Sequence, residues 1–409
     1  MYEDIEIIQV NISGADKPGL TAEFTGILVK YDASILDIGQ ANIHSSLVLG
    51  LLVKTSRDKS GFMMKDLLFK ASELGLLIRF NPVSIEDYNA WVARQGKDRY
   101  IITLLSRRIT ASHISAVTDV IFKHGLNIDS ITRLSGRIPL DESPEGAKAS
   151  IEFSVRGHHL TPEQKQSLQS SLINLPEEGL DISFQKDDIY RRSRRLICFD
   201  MDSTLIGTEC IDELAERAGV GEQVRAITES AMRGEIDFVE SFTRRVALLK
   251  GLDESVMEDI ARNLPYNEGL ERTMKILKMV GYKTAILSGG FTYFAKALQT
   301  RFGFDYVYAN DLEVENGRLT GRFLGDIVDG RRKAELLKLL CQFEGINLAQ
   351  SVAVGDGAND LPMMSLAGLG IAYHAKPKVK ANARQSITFT GLDGILYFLG
   401  LKESHLGEG

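Results

Sequence analysis

Residues 196 to 204 read Leu-Ile-Cys-Phe-Asp-Met-Asp-Ser-Thr, and this segment organises the second half of the chain. The four apolar residues predict a short buried strand, and Asp200 and Asp202 follow where the backbone leaves it. Further short apolar runs between helical stretches predict the other strands of a parallel sheet: 284–287, 351–354 and 369–372. The first two of these runs also end in polar residues, and open α/β sheets bind ligands beyond the carboxyl ends of their strands. The sequence therefore predicts an α/β domain with a site at one edge of its sheet.

The polar residues after the second and third strands supply groups suited to a phosphate and a cation. Ser288 precedes Gly289 and a second glycine, whose missing side chains let a phosphate approach the backbone amides. The third strand leads into Asp356, Asn359 and Asp360. Carboxylates gathered at one sheet edge repel one another unless a cation neutralises them. A set of oxygen ligands favours magnesium, although each segment alone is also typical of a polar turn.

A lysine completes this set, since Lys333 lies between the second and third strands and can place a positive charge against a phosphate or a phosphorylated carboxylate. Together, and in this order after the expected strands, the segments resemble the haloacid dehalogenase superfamily over residues 196–401. The resemblance implies a Rossmann-like parallel sheet core. Residues 211–264 read as helical and predict a helical cap, placed at about residues 207–268.

The resemblance also implies how the carboxylates share the chemistry. Asp200 is the nucleophile that forms a phosphoaspartate, and Asp202 is the general acid and then the general base. The side chains of Asp200 and Asp356 bind Mg²⁺ together with the backbone carbonyl of Asp202. These roles make the chain a magnesium-dependent phosphatase.

The remaining residues of the set are assigned to the phosphate. Ser288 and Lys333 count as catalytic residues, and with Gly289 they hold the phosphate oxygens. Asn359 positions the phosphate, and Asp360 supports Lys333. Each assignment follows from the matching position in the family.

Four residues of the predicted cap match substrate-contacting positions of the phosphoserine phosphatase family. Glu209 and Arg245 stand where that family contacts the amino and carboxylate groups of its substrate, and their charges complement a zwitterion. Met232 and Phe238 match the lid residues that close over the site. The resemblance implies hydrolysis of O-phospho-L-serine to L-serine and phosphate, a phosphoric monoester hydrolysis at the last step of serine biosynthesis.

The first half of the chain contains an internal repeat with a spacing of about 92 residues. Each copy predicts strand, helix, strand, strand, which is the ferredoxin-like order. In the first copy Pro18 and Gly19 precede a helix whose free amides suit a carboxylate, and the segment resembles the ACT domain, a module that binds amino acids at dimer contacts. The alternative is that these two residues only shape a tight turn. The matching loop of the second copy, residues 107–112, has neither proline nor glycine.

These patterns predict three domains: an ACT domain at 1–90, a second ACT domain at 98–186 and the phosphatase domain at 187–409. An amino-acid effector is expected at the first ACT domain, and a homodimer is expected because ACT modules pair with further copies. The basic run at residues 190–195 is interpreted as a solvated domain boundary. The alternative, a nucleic-acid patch, lacks the interleaved aromatic residues of such sites.

Bulk composition excludes several classes of function. A net charge of −7 and a pI near 5.7 give no general attraction to nucleic acid or to anionic lipid. The apolar runs are shorter than the roughly 18 residues of a membrane span. Three cysteines without metal-binding spacing suit a reducing compartment, so a cytoplasmic location is predicted, with no nucleic-acid or membrane partner.

Two other functions stay open at this level. One is a related haloacid dehalogenase that acts on another small phosphate or a phosphoprotein, or that passes the phosphoryl group from Asp200 to an acceptor other than water. The other is an amino-acid sensor in which the phosphatase is vestigial. The presence of Asp200, Asp202, Lys333 and Asp356 argues against the sensor, since a vestigial site does not need all of them.

Overall fold

The protein is described here by a computed structural model. The structure describes residues 4–93, 98–140, 146–157, 159–175 and 177–406. The chain divides into two compact units, Met1–Lys97 and Asp98–Gly409.

The first unit is an antiparallel sheet covered by helices. Its elements are β1 (Ile5–Ala15), α1 (Leu20–Lys30), β2 (Ser34–Ile43), β3 (Ser46–Ser56), α2 (Arg57–Leu74), β4 (Leu77–Val83) and α3 (Ile85–Ala93). The strand order is β2-β3-β1-β4, which is the ferredoxin-like arrangement. Alternate residues of β1 point to one face, where Val10 and Ile12 pack with Phe24 of α1 and Leu67 of α2.

The second unit begins with a sheet of the same topology. Its elements are β5 (Arg99–Ser106), α4 (Ala111–Lys123), β6 (Asn127–Arg133), β7 (Ala149–Arg156), α5 (Pro162–Ile173) and β8 (Leu180–Lys186), in the order β6-β7-β5-β8. Thr110 and Thr161 cap the two helices with their side chains, because a threonine oxygen satisfies a free amide of the first turn.

A larger sheet with flanking helices follows. Its strands are β9 (Leu196–Phe199), β10 (Lys283–Phe291), β11 (Tyr306–Glu315), β12 (Arg318–Leu324), β13 (Ser351–Gly355), β14 (Leu369–Tyr373) and β15 (Gln385–Ile387). The helices are α6 (Cys210–Arg217), α7 (Gly221–Met232), α8 (Phe238–Leu248), α9 (Ser255–Arg262), α10 (Leu270–Met279), α11 (Thr292–Phe302), α12 (Gly330–Phe343), α13 (Leu361–Leu366), α14 (Pro377–Asn382) and α15 (Gly394–Phe398). Short 3₁₀ helices lie at Leu348–Gln350, Ala358–Asp360 and Glu403–His405.

The strand order of this sheet, β12-β11-β10-β9-β13-β14-β15, places β9 in the middle. β9 pairs in parallel with β10 on one side and β13 on the other. The carboxyl ends of these three strands meet at one edge, so the polar segments that follow them come together. Helices α6 to α9 form the predicted cap between β9 and β10. The predicted fold class, an α/β core with a helical cap preceded by two ferredoxin-like domains, is confirmed.

A hairpin turn at Asn316 and Gly317 joins β11 to β12, with φ angles of 53° and 75° in the left-handed region. Two such residues form the turn that matches the twist of a two-stranded ribbon. Strand β15 was not predicted, because three residues carry too little periodicity to mark a strand.

The interpretation of the basic run as solvated is wrong for two of its four arginines, whereas Arg192 and Arg195 are exposed. Arg191 and Arg194 are 5% and 4% exposed. Arg191 pairs with Glu152 of β7 at 2.5 Å, and Arg194 donates to the side-chain oxygen of Gln185 at 2.8 Å. The two guanidinium groups are buried because the ferredoxin-like sheet packs on this segment within the second unit.

The ferredoxin-like sheet and the large sheet meet at β8 and β15. The side chain of Gln385 exchanges two hydrogen bonds with the backbone of Phe184, and Asp181 accepts the amides of Thr388 at 2.8 Å and Phe389 at 3.0 Å. Residues 98–409 therefore pack as one unit. The domain limits at 90, 98, 186 and 187 stay a prediction.

Replacing Asp181 by alanine should lower the free energy of unfolding of the second unit by about 1.5 to 3 kcal/mol, because two amides lose a charged acceptor. Burial raises the pKa of Asp181 to about 6, so urea unfolding should be measured at pH 8, where the carboxylate is ionised. Asp119→Ala, which removes an exposed pair with Lys123, is the control and should change stability by less than about 1 kcal/mol. Equal effects of the two substitutions would contradict the prediction.

Candidate active site

A buried lysine lies at the centre of the sheet edge. The ammonium of Lys333 is 2.8 Å from Oδ1 of Asp200 and 2.7 Å from Oδ1 of Asp360, and Lys333 has no exposed surface. Burial alone lowers the pKa of Lys333, but the two carboxylates outweigh it and raise the pKa above its usual value. Lys333 is therefore charged, and it holds Asp200 in place.

Local structure fixes both partners of this contact. The amide of Asp200 bonds to the carbonyl of Val354 on β13 at 2.9 Å, so Asp200 continues the parallel pairing of β9. Helix α12 carries Lys333 in its first turn, and the side chain of Asp329 caps that helix by accepting the amide of Arg332 at 2.8 Å.

Three aspartates form a cluster of oxygen ligands. Asp200, Asp356 and Asp360 each offer a carboxylate oxygen, and these oxygens all lie within 4.8 Å of one another. Burial raises the pKa of Asp356 to about 7, and the charges of Asp200 and Glu209 add to this effect. Such a cluster is unfavourable alone and fits a divalent cation, which prefers oxygen ligands.

Asp202 is set apart from this cluster by its environment. Burial, and then the charges of Glu209 and Asp200, raise its pKa well above the usual value, which favours the protonated form. Its Oδ1 accepts the amide of Cys210 at 3.3 Å. Gly290 lies against the carboxyl group, and a Cβ at that position would collide with it. A protonated carboxyl group beside a nucleophile is suited to donate a proton.

The loop after β10 offers a hydroxyl and backbone amides. Ser288 is buried, and its hydroxyl accepts the amide of Gly290 at 2.9 Å. Asn310 donates to the carbonyls of Gly289 and Gly290 at 2.8 and 3.1 Å and accepts the amide of Val328 at 2.8 Å. Asn310 therefore fixes the loop. Sequence reasoning missed it, although it shares the signal of the other site residues, a polar residue after an apolar run of a strand.

The cap supplies charges of opposite sign on the other side of the site. Glu209 precedes α6 and accepts the hydroxyl of Ser203 at 2.7 Å. Arg245 on α8 makes two long hydrogen bonds, at 3.4 Å to the carbonyl of Ser241 and at 3.5 Å to the hydroxyl of Thr228. Burial lowers the pKa of Arg245, although Glu209 opposes this effect. The guanidinium is thus partly desolvated and weakly bonded, as suits a group that binds a carboxylate.

One cavity of about 970 Å³ brings most of the predicted residues together. Its lining includes Asp200, Asp202, Glu209, Met232, Phe238, Arg245, Ser288, Gly289, Asp356 and Asn359. Lys333 and Asp360 are buried behind this lining. Lys376 and Lys378 also line the cavity, and sequence reasoning missed them because isolated surface lysines carry no pattern.

The two predicted lid residues lie on the cap side of this cavity. Met232 is 63% exposed at the end of α7, and its sulfur lies 3.8 Å from the ammonium of Lys376 on the core. The ring of Phe238 stacks with Phe242 at 6.2 Å between centroids and approaches Gly289. Cap and core side chains therefore face each other across the cavity.

Comparison with known proteins agrees with this geometry. Residues 6–81 match the ACT domain, and residues 197–365 match the haloacid dehalogenase-like hydrolases. A phosphoserine phosphatase of Streptomyces coelicolor is 37% identical over 399 residues, which are 97% of this chain and 93% of that protein. A phosphoserine phosphatase of Mycobacterium tuberculosis is 36% identical over 98% of this chain and 94% of that protein.

The chain belongs to the phosphoserine phosphatase family. This membership confirms the predicted family, with its ACT and haloacid dehalogenase domains, and the prediction of a phosphatase. The roles of the individual site residues stay predictions.

Solved structures resemble this phosphoserine phosphatase family member as well. A haloacid dehalogenase family hydrolase of Salmonella enterica is 31% identical with a TM-score of 0.62, covering 74% of this chain and 98% of that one. An unliganded probable phosphoserine phosphatase of Vibrio cholerae is 35% identical with a TM-score of 0.56, covering 73% of this chain and 86% of that one.

In the part of the chain that the structure describes, no helix is long and apolar enough to cross a bilayer.

Proposed function

We propose that this protein hydrolyses O-phospho-L-serine to L-serine and phosphate through a phosphoaspartate at Asp200. The observation that carries the proposal is the composition of one cavity, in which the buried carboxylate of Asp200 lies with Glu209 and Arg245 of the cap. A phosphate monoester reacts at Asp200, while an ammonium group pairs with Glu209 and a carboxylate pairs with Arg245. The names of the relatives support this choice of substrate.

The first step is attack of the Asp200 carboxylate on phosphorus. The new P–O bond forms as the bond from phosphorus to the serine oxygen breaks, and Asp202 donates its proton to that oxygen. The raised pKa of Asp202 supports this role, because the carboxyl group holds its proton until the leaving group needs it. Lys333 keeps Asp200 oriented during the attack.

The second step returns the enzyme to its starting state. Asp202, now ionised, takes a proton from water as the water oxygen attacks phosphorus, and the bond between phosphorus and Asp200 breaks. The phosphate is held through both steps by Ser288, Gly289 and Asn359. The ammonium of Lys333, which lies against Asp200, adds positive charge at the reacting carboxylate.

We propose Mg²⁺ as the cofactor, because the carboxylate cluster offers oxygen ligands within 4.8 Å of one another. Asp200 and Asp356 would hold the ion with the backbone carbonyl of Asp202, while Asp360 remains paired with Lys333. The bound cation offsets the negative charge of the phosphate and of Asp200.

Met232 and Phe238 are proposed to close over the bound substrate, since they lie on the cap side of the cavity. Closure excludes water and favours the transfer to Asp200.

The same chemistry would serve another small phosphate, a phosphoprotein or transfer of the phosphoryl group to another acceptor. Among these alternatives, the charges of Glu209 and Arg245 favour phosphoserine as the substrate.

We also propose that the enzyme acts in the cytoplasm, at the last step of serine biosynthesis. Cys198, Cys210 and Cys341 are buried free thiols, which are stable in a reducing compartment.

Asp200→Asn should abolish phosphoserine hydrolysis, with a loss of at least about a thousandfold, because the amide is a poor nucleophile and a poor ligand for a cation. Phosphate release from phosphoserine, phosphothreonine and a panel of sugar phosphates measures both the loss and the substrate preference. Beryllium fluoride with Mg²⁺ should form an adduct on Asp200 in a crystal, and exhaustive chelation should prevent both the adduct and turnover. Hydrolysis by the variant within tenfold of the parent, or an adduct on another residue, would reject the nucleophile.

Arg245→Ala should reduce phosphoserine turnover at least about tenfold more than turnover of p-nitrophenyl phosphate, which has no carboxylate to pair with the guanidinium. Arg244→Ala is a matched control on the same helix, because Arg244 forms an exposed pair with Glu240 at 2.5 Å. Arg244→Ala should change the turnover of phosphoserine and of p-nitrophenyl phosphate by the same factor. Equal losses on the two substrates in Arg245→Ala would remove this residue from substrate recognition.

We further propose that the first ACT domain binds an amino acid, with serine as the first candidate, and that the chain forms a homodimer. Helix α1 starts after Gly19, whose φ of 90° turns the chain into the helix and leaves its first amides free for a carboxylate. Asp16 lies in the same loop, bonded to the side chain of Asn42 at 2.5 Å and to the carbonyl of Ser45 through its amide at 2.8 Å. An ordered loop with a free helix start supports ligand binding over a simple turn.

Asp16→Ala should weaken serine binding at least about tenfold in calorimetric titration and remove any effect of serine on turnover, because the loop loses its carboxylate and its contact with Asn42. Glu73→Ala, which removes an exposed ion pair in the same unit, is the control. Sedimentation of the parent should show a dimer. Unchanged serine binding in Asp16→Ala would leave the ACT domains with a role in assembly alone.

A further inference from the structure

In the second ferredoxin-like domain, the loop that enters the first helix contacts the phosphatase domain. This loop corresponds to the proposed ligand site of the first domain. This loop joins β5 to α4, as residues 16–19 join β1 to α1. Its first residue, Arg107, binds both carboxylate oxygens of Glu268, with a distance of 2.7 Å from Nη1 to Oε1, and its Nε donates to the carbonyl of Phe389 at 3.2 Å. The loop that we propose as a ligand site in the first domain here holds a carboxylate of the same chain.

A second cation from this domain strengthens the contact. The ammonium of Lys148 lies 2.8 Å from Oε1 of Glu268 and 3.0 Å from Oδ1 of Asp393, and its side chain is 7% exposed. The hydrogen bond from Arg107, with that from Lys148, lowers the pKa of Glu268 to about 2 against the effect of burial. Glu268 is therefore a fixed carboxylate between two cations.

Glu268 lies where the cap joins the core. The chain enters the cap through residues 205–207 and leaves it through residues 265–267, and these segments pair: the amide of Gly207 bonds to the carbonyl of Pro265 at 2.7 Å, and the amide of Asn267 to that of Leu205 at 3.0 Å. The carbonyl of Glu268 accepts the amide of Leu392 in the core at 2.7 Å. This paired segment is the connection between cap and core, and it is the hinge in the proposed closure of the cap.

The hinge also reaches the carboxylate cluster. The side-chain amide of Asn267 donates to the carbonyl of Thr204 at 2.8 Å, and the hydroxyl of Thr204 donates to Oδ1 of Asp356 at 3.0 Å. Three polar contacts and the peptide bond between Asn267 and Glu268 thus connect Arg107 to Asp356 by way of Thr204.

We propose that Glu268, held by Arg107 and Lys148 of the second ACT domain, is a positioning residue that fixes the cap hinge and, through Asn267 and Thr204, the carboxylate of Asp356. This inference rests on the proposed function for its activity readout. In this proposal the cap turns about the hinge when it closes. Because Arg107 and Lys148 hold Glu268 in place, the closed cap has fewer orientations in which its residues are misaligned with the substrate. The second ACT domain is then part of the phosphatase machinery instead of a ligand sensor.

The test compares Arg107→Ala and Glu268→Gln with Arg191→Ala in the full-length protein. Arg191→Ala is the control, because it removes another arginine–carboxylate pair between the same two domains, at Glu152, that does not reach the hinge. The pair of Arg191 is more buried than that of Arg107, so the control is the more disruptive substitution for the domain contact itself. The first readout is hydrogen exchange at the amides of Gly207 and Asn267 in protein freed of metal. The second readout consists of kcat and KM for phosphoserine, together with a measurement of the Mg²⁺ concentration that gives half of full activity.

Arg107→Ala and Glu268→Gln should each speed hinge exchange at least about fivefold, lower kcat at least about fivefold and raise the Mg²⁺ requirement. The loss in the double variant should be smaller than the sum of the two single losses, since both substitutions remove the pair between Arg107 and Glu268. Arg107→Lys should recover part of kcat by restoring the charge. Arg191→Ala should lower the melting temperature while hinge exchange and kcat stay within about twofold of the parent.

The proposal would be overturned if Arg107→Ala and Arg191→Ala changed hinge exchange and kcat equally. It would also be overturned if the loss of kcat in the double variant equalled the sum of the two single losses. If the parent does not hydrolyse phosphoserine, the proposed function fails, whereas the exchange readout in metal-free protein still decides the role of Glu268.

Discussion

The ammonium of Lys333, enclosed between Asp200 and Asp360, is the interaction on which the rest of the site depends. A charge without exposed surface is stable only with partners of opposite sign, and Lys333 has two at 2.8 and 2.7 Å. It ties together three elements, since Asp200 follows β9, Lys333 belongs to α12 and Asp360 follows β13. The sheet order sets the distances among these elements, and the lysine fixes which oxygen of each carboxylate is held.

The two aspartates of the Asp200-Met201-Asp202 segment have different charged neighbours. Asp200 lies against Lys333, so its negative charge is balanced. Asp202 faces Glu209 and Asp200, and its pKa rises well above the usual value. The surroundings of Asp202 therefore favour its protonated form, which suits the proposed general acid. The left-handed conformation of Ser203, with φ of 57°, turns the chain immediately afterwards and keeps the second carboxyl group at the site.

The sequence predicted what depends on local pattern and strand order. The strand at 196–199, the polar residues after it and the helical cap all follow from short apolar runs and their spacing. Sequence reasoning did not single out Asn310, although it follows an apolar run as other site residues do, because its role depends on two carbonyls of a neighbouring strand. It also read Arg191 and Arg194 as exposed, because the packing of one domain on another leaves no periodic signal in a short basic run.

The two repeats differ in the loop that enters their first helix. The first copy keeps Pro18 and Gly19 and a helix start with free amides, whereas Thr110 caps the helix of the second copy with its own side chain. A capped helix start no longer needs an external carboxylate, so the adjoining Arg107 is free to take a different anionic partner. Glu268 is that partner, and an internal carboxylate is always present at high effective concentration. A duplicated binding module can therefore become a permanent structural contact when its loop gains an arginine and its helix gains a cap.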